Sequence, residues 1–298
     1  MTPGAPHPVA DLPGLTELPA GWEVLSTSGP GPFVTHARLR RPDGQEVDWT
    51  SRRHRKRLGL RLVRDRSHRL LRRGGRRPSA ASWWMGGLFA IGSICFALGS
   101  IPLYFNHVQP AFVGVTFFVG SLFFTSASAV QYHETRSAPT GIEPGSAGPR
   151  GLRALLGTSP RRIDWWAAAV QLVGTVFFNI TTFAATRTDL TLDQERHLIW
   201  APDVLGSVCF LIASWLAYSE VNNGVRPQPD GSTGWWIAAV NMAGSVAFGA
   251  AAIAARYVRT TGELANITLI NVGTGVGALC FLVGAILLPV ESTQTEPS

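Results

Sequence analysis

The sequence predicts an all-α membrane protein: six transmembrane helices arranged as three repeated helical hairpins, with a small N-terminal β element. Three observations carry that prediction. Six apolar runs of 21–24 residues follow one another from Ser82 onward: Ser82–Phe105, Ala111–Tyr132, Trp165–Thr186, Leu198–Tyr218, Gly234–Ala255 and Asn266–Pro289. One short motif recurs at fixed spacing inside those runs. The basic residues, finally, crowd the segment that precedes the first run.

The runs have the right length. A helix needs about 20 apolar residues to cross the hydrocarbon core, and none of the six contains Glu, Lys, Arg or His. In lipid every backbone polar group has to be satisfied within its own segment, which selects helices.

The elements follow in chain order. Residues 1–20 hold five prolines and read as a disordered tail. Residues 21–51 read as a small β element. Phe33–Arg41 alternates, with Phe33, Ala37 and Leu39 on one face. Pro42-Asp43-Gly44 is a turn signal, Glu46–Thr50 returns with Val47 and Trp49, and Trp22–Leu25 is a candidate third strand. Such an element is too small to bury a core alone and is expected to dock on the helices or the membrane.

Residues 52–81 form a basic juxtamembrane arm. Of 26 Lys and Arg, 16 lie at or before Arg77, and 13 of those fall between Arg52 and Arg77. Beside a span, such a cluster reads as a binding surface for anionic headgroups. Arg52, Arg53, Arg55, Lys56, Arg57, Arg72, Arg73, Arg76 and Arg77 are the candidate lipid-binding residues. A protein partner of this segment is the other option, and nucleic acid is disfavoured because no recognised nucleic-acid fold accompanies the cluster. The first 80 residues lack an apolar run followed by a small-residue cleavage site, so the first span is expected to act as an uncleaved insertion signal.

The hairpins are assigned to 82–134, 163–223 and 224–291, with a Gly/Pro/Ser-rich flexible linker over 135–162 and a tail over 292–298. Loop charge orients them. With the N-terminus inside, the inner loops hold 16, 5 and 1 basic residues and the outer loops 0, 2 and 2. The positive-inside rule then places both termini in the cytoplasm of a multi-pass inner-membrane protein.

The repeat is W-W-x7-G-[ST]-x2-F in the odd-numbered spans. Trp83-Trp84 leads to Gly92, Ser93 and Phe96; Trp165-Trp166 to Gly174, Thr175 and Phe178; Trp235-Trp236 to Gly244, Ser245 and Phe248. The even-numbered spans carry Gly120, Ser121 and Phe124; Gly206, Ser207 and Phe210; and Gly277, Ala278 and Phe281. Fourteen residues after each of these even-span glycines stands a glutamate: Glu134, Glu220 and Glu291. Small residues let helices approach closely in lipid, so the motif predicts helix packing. Its hydroxyls are expected to bond a carbonyl one turn back or across a helix pair. The tryptophans predict interfacial anchors. A carboxylate at a helix C-terminus is disfavoured by the helix dipole, so each glutamate predicts a partner, either a Trp N–H of its hairpin or an arginine of the arm.

Trp83-Trp84-Met85-Gly86-Gly87-Leu88-Phe89-Ala90-Ile91-Gly92-Ser93-Ile94-Cys95-Phe96, followed by Val119-Gly120-Ser121-Leu122-Phe123-Phe124, resembles the YrhK-like membrane domain. The resemblance covers Ser82–Glu134. It is looser later, where Gly86 and Gly87 become Ala168 and Ala169. It implies an architecture and brings no catalytic or ligand residue.

Several chemistries find no residues. Cys95, Cys209 and Cys280 lie mid-span without metal-ligand or redox spacing. His107, His133 and His197 are isolated, and no phosphate loop, nucleophile elbow or metalloprotease motif is present. No cofactor and no metal is expected. The deep polar groups noted are neutral, among them Gln171, Asn179, Asn241 and Asn271, with Gln171 and Asn241 in nearly equivalent registers. The sequence therefore points to a non-enzymatic membrane bundle with a structural or regulatory role. The alternative is a channel or transporter for a small neutral solute that uses Asn and Gln within the bundle.

Overall fold

The computed structural model describes residues 12, 15, 18–63, 79–142, 146–149, 151, 157–256 and 264–293. The tail over 1–20 falls mostly outside them, as do Arg72, Arg73, Arg76 and Arg77 of the arm.

The N-terminal segment folds as a four-stranded antiparallel meander: β1 (Glu23–Ser28), β2 (His36–Arg40), β3 (Glu46–Thr50) and β4 (Arg61–Leu62). Strand alternation sends Ala37, Leu39, Val47 and Trp49 to one face, where all four are buried with Leu12. The β2–β3 turn falls at the predicted place. Gly44 takes φ +83°, a conformation that favours glycine, and the Gln45 N–H donates to Asp43 Oδ1 at 2.9 Å. Phe33, expected within a strand, instead closes a turn by donating its N–H to the Pro30 carbonyl at 3.1 Å. A short helix, α1 (Ser51–Arg55), follows β3 without a linker and is capped by Thr50.

Among the described residues six helices are long and apolar enough to cross a membrane: α2 (Ala80–Gly99), α4 (Pro110–Arg136), α5 (Ile163–Ala184), α6 (Leu192–Val221), α7 (Thr233–Ala254) and α8 (Ile267–Thr293). The first span ends earlier than its apolar run. Pro102 lacks an N–H and restricts Ile101 to an extended backbone, so α3 (Pro102–Phe105) is a separate turn. The fourth span starts earlier, at Leu192, behind a capping box of Thr191 and Gln194. It passes through a π-helical turn at Arg196–Trp200.

Each span packs on the next in sequence and α8 packs on α2, so the bundle is a closed ring. The ring has two kinds of seam. Within each hairpin the motif glycines face each other. A Cβ on Gly120 would lie 3.2 Å from the Gly92 carbonyl, one on Gly174 3.2 Å from the Gly206 carbonyl, and one on Gly244 3.0 Å from the Gly277 carbonyl. Between hairpins the seam is polar. Ser121 meets Thr182 at 2.9 Å and Asn179 donates to Thr125 at 2.9 Å across α4 and α5, while Ser214 meets Ser245 at 2.7 Å across α6 and α7. At the closing seam Pro289 removes the N–H that would have bonded Ala285. Gly86 comes up against that carbonyl, with room for no side chain.

The six motif phenylalanines fill the axis. Phe124, Phe210 and Phe281 form a triangle with ring centroids 5.7–6.2 Å apart. Phe96, Phe178 and Phe248 each pack on the triangle member of their own hairpin, at 5.5, 5.1 and 5.3 Å. Such aromatic pairs add about 0.5–1.5 kcal/mol each beyond area burial. The bundle is therefore closed at mid-height.

Candidate functional site: the capped end of the axis

The β domain sits on the end of the bundle where the even-numbered spans finish. Several contacts hold it there, among them a long bond from Arg57 to the Ser137 carbonyl at 3.4 Å. Thr35 donates to Asn223 Oδ1 at 3.1 Å and Ser51 to Glu220 Oε1 at 2.6 Å. His54 Nε2 meets the Pro139 carbonyl at 2.8 Å. A further contact is ionic and comes from α1.

Helix α1 points three cations at the glutamates of the repeat. Arg52 forms a two-pronged pair with Glu291, at 2.6 and 2.9 Å, and Lys56 reaches the same carboxylate at 2.9 Å. Arg55 bonds Asp164 at 2.6 Å and Glu220 at 3.2 Å. Asp164 is shared with Arg162. The pairs are desolvated: the Arg55, Lys56 and Glu220 side chains are 9%, 5% and 2% exposed. Gly234 makes room for this arrangement, because a Cβ there would lie 2.7 Å from Glu291 Oε1 and 3.0 Å from Arg52 Nε. Burial opposes the charge on Arg55, but Glu220, Asp164 and Glu134 outweigh it and hold the guanidinium above the ordinary arginine range. Arg52 is raised in the same way, burial being overcome mainly by Glu291.

Of the residues expected to bind lipid, Arg52, Arg55 and Lys56 are turned into the bundle onto carboxylates. Arg53 donates to the Leu58 carbonyl at 3.0 Å, within its own domain, and Arg57 remains on the surface. Of the two expected partners, Glu220 and Glu291 take the arginine and not the tryptophan. Trp235 Nε1 donates to Asn222 Oδ1 at 3.1 Å and Trp166 Nε1 to the Pro160 carbonyl at 3.0 Å. The tryptophan pairs encircle this end of the bundle, with Trp83, Trp84, Trp166 and Trp236 exposed on its outside.

The motif hydroxyls divide. Ser121 and Thr175 bond a carbonyl three residues back and Ser245 reaches the Phe210 carbonyl on α6. Ser93 and Ser207 have no hydrogen-bond partner among the described residues.

Beneath the ion pairs lies an axial cavity of about 80 Å³. Phe89 and Phe281 contribute to its lining from the aromatic side, while Arg52, Arg55 and Lys56 line it from α1. Gln131, Gln171 and Asn241 also line it. The last two stand three residues before their glycine, the register that Phe89 occupies in the first hairpin. A second, larger cleft of about 560 Å³ runs between the β domain and the bundle. Arg52 and Glu220 line both spaces.

Sequence reasoning missed two features. Asp164 is a latch residue whose position one before the tryptophan pair was the available signal. Asp203 is a carboxylate inside the fourth run, three residues before Gly206. No group of three or more His, Cys, Asp or Glu able to hold a metal occurs among the described residues. No family model, curated protein or solved structure matches this chain.

Proposed function

We propose that the chain is a non-enzymatic membrane module of structural or regulatory role, in which a packed six-helix bundle carries a cytoplasmic β domain clamped to one end. The buried ion network between α1 and the ends of α5, α6 and α8 carries this reading. Four carboxylates gathered at one helix-bundle mouth repel each other unless cations neutralise them, so the bundle and the domain depend on each other. Arginines 72, 73, 76 and 77 precede the first span in the sequence and supply the attraction to anionic headgroups. The test is flotation with vesicles of neutral and of anionic lipid, comparing wild type with a variant carrying serine at those four positions. Preferential binding of the wild-type soluble segment to anionic vesicles, lost in the variant, is the expected result. Equal recovery with both lipids defeats the lipid assignment.

The amide-lined cavity favours a second reading, a channel or transporter for a small neutral solute. Two layers of phenylalanine close the axis against it at rest, since apolar constrictions exclude water and solute. Proteoliposomes of the wild type are expected to be tight to small solutes. Selective flux abolished by Asn241→Leu would instead establish transport.

A further inference from the structure

We propose that the axial cavity is a binding site for a small, neutral, amide-like solute and that α1 is its lid. The inference does not require the solute to cross the membrane.

The chemistry of the lining selects the ligand. Gln131, Gln171 and Asn241 each offer both a donor and an acceptor. Among the described residues the Gln131 and Asn241 amides make no hydrogen bond, and Gln171 makes only a long one to Ser128 at 3.4 Å. The Glu134 carboxylate likewise accepts no hydrogen bond among the described residues, although it feels the charge of Arg55. These half-buried amides and the carboxylate keep open hydrogen-bonding capacity around one space, which favours an occupant that hydrogen-bonds. The charges on the lining cancel: Arg52, Arg55 and Lys56 stand against Glu134, Asp164 and Glu220. No net field favours an ion, so the occupant is neutral. At about 80 Å³ the space exceeds what a single water requires and admits a solute of a few heavy atoms. Phe89 and Phe281 offer apolar faces to a flat molecule. A planar primary amide meets all of these conditions.

The lid follows from the same geometry. Arg52 and Glu220 line both the cavity and the cleft of about 560 Å³ under the β domain. They are therefore part of the wall between the two. Arg52, Arg55 and Lys56 all come from α1 and its C-cap, so displacement of one short helix removes the three cations from the cavity mouth together.

The experiment is thiol labelling in the full-length protein, in a background with Cys95, Cys209 and Cys280 replaced by alanine. Ala217→Cys puts a thiol on the cavity wall, and methyl methanethiosulfonate is the probe, read by mass. Adding Arg52→Gln, Arg55→Gln and Lys56→Gln is expected to speed labelling at least tenfold. Acetamide at 100 mM is then expected to slow it at least twofold, and pivalamide, too large for the space, to leave it unchanged. Unaltered labelling on loss of the three cations overturns the lid. Labelling that acetamide does not slow, meaning water only, overturns the site. Should the triple variant misfold, Thr35→Cys with Asn223→Cys replaces it, joining two side chains already 3.1 Å apart. Oxidation of that pair is expected to slow labelling at position 217 tenfold relative to the reduced form, and equal rates overturn the lid.

Discussion

Arg55→Met is the most informative single change. Arg55 joins two spans, touching Asp164 on α5 at 2.6 Å and Glu220 on α6 at 3.2 Å. Its loss affects them unequally. Asp164 keeps Arg162, at 3.0 Å through Nε. Glu220 keeps the hydroxyl of Ser51 at 2.6 Å and the more distant charge of Arg52, and becomes a buried carboxylate without a bonded cation. Removing one member of a buried ion pair costs about 3–5 kcal/mol, whereas replacing both members by neutral groups is often close to neutral. Arg55→Met is therefore expected to weaken domain docking by about 3–5 kcal/mol, and Arg55→Met with Glu220→Gln by no more than about 1 kcal/mol. At about 1.4 kcal/mol per tenfold, the single variant populates the undocked domain roughly a hundred- to several-thousand-fold more. Hydrogen exchange at the Lys56 and Arg57 amides reads this directly, since those amides close α1 on the Arg52 and His54 carbonyls. A single variant costing under about 1 kcal/mol, or a double variant costing as much as the two singles together, would refute the argument that charge burial, and not side-chain packing, governs this joint.

Three other outcomes follow. Gly92→Ala places a Cβ 2.7 Å from the Phe124 ring and 2.9 Å from the Gly120 carbonyl; it should cost about 1–3 kcal/mol through overpacking, while Gly87→Ala, with nothing within 4 Å, should leave the melting temperature in detergent unchanged. Phe210→Ala removes a ring that packs on Phe124, Phe178 and Phe281; a loss of about 3–5 kcal/mol is expected, with proteoliposomes that leak water faster than wild type. Burial, opposed by the Pro139 carbonyl, lowers the affinity of His54 for a proton, so the unfolded chain protonates first as pH falls. The stability it contributes is complete above about pH 6.5 and declines below it; melting temperatures from pH 7.5 to 5.5 should drop further for wild type than for His54→Gln.

The helices, their pairing into hairpins and the β2–β3 turn were legible because each rests on local information. Apolar length, a glycine every time at the point of closest approach, and a Pro-Asp-Gly turn all act within a few residues. The fate of the basic arm was not legible. A run such as Arg52-Arg53-His54-Arg55-Lys56-Arg57 has the same composition whether it meets phosphate headgroups or carboxylates, and only the placement of α1 directly after β3 decides which. The helical turn sends 52, 55 and 56 to one side, toward Glu291, Asp164 and Glu220, and leaves 57 outside. That three-and-four spacing was in the sequence, but its partners lie 109 to 239 residues away. Strand ends shifted for a similar reason: Phe33 alternates correctly with Ala37, yet the turn at Pro30 takes it out of the strand.

The glycine–phenylalanine motif and the glutamate fourteen residues later belong to one inward face. On the even-numbered spans, steps of four, seven, eleven and fourteen from the glycine reach Phe210, Ala213, Ala217 and Glu220 in the second hairpin, and each of them lines the cavity except the first. Those steps of three and four keep one stripe of a helix turned to its neighbours. The stripe passes from aromatic to small to charged along the axis. Small residues between two large groups leave a void, so the cavity arises where the stripe carries alanine and glycine: at Ala213 on α6 and at Gly284 on α8. Filling it from that stripe offers a discriminating perturbation. Ala213→Leu occupies the space with apolar atoms without touching the ion pairs. If the cavity is merely a packing defect, stability should rise by up to about 1–3 kcal/mol, the worth of burying a large aliphatic side chain. If hydrated amides and Glu134 require the space, the same change should strip their water and destabilise the bundle, and the sign of the shift in melting temperature decides between the two.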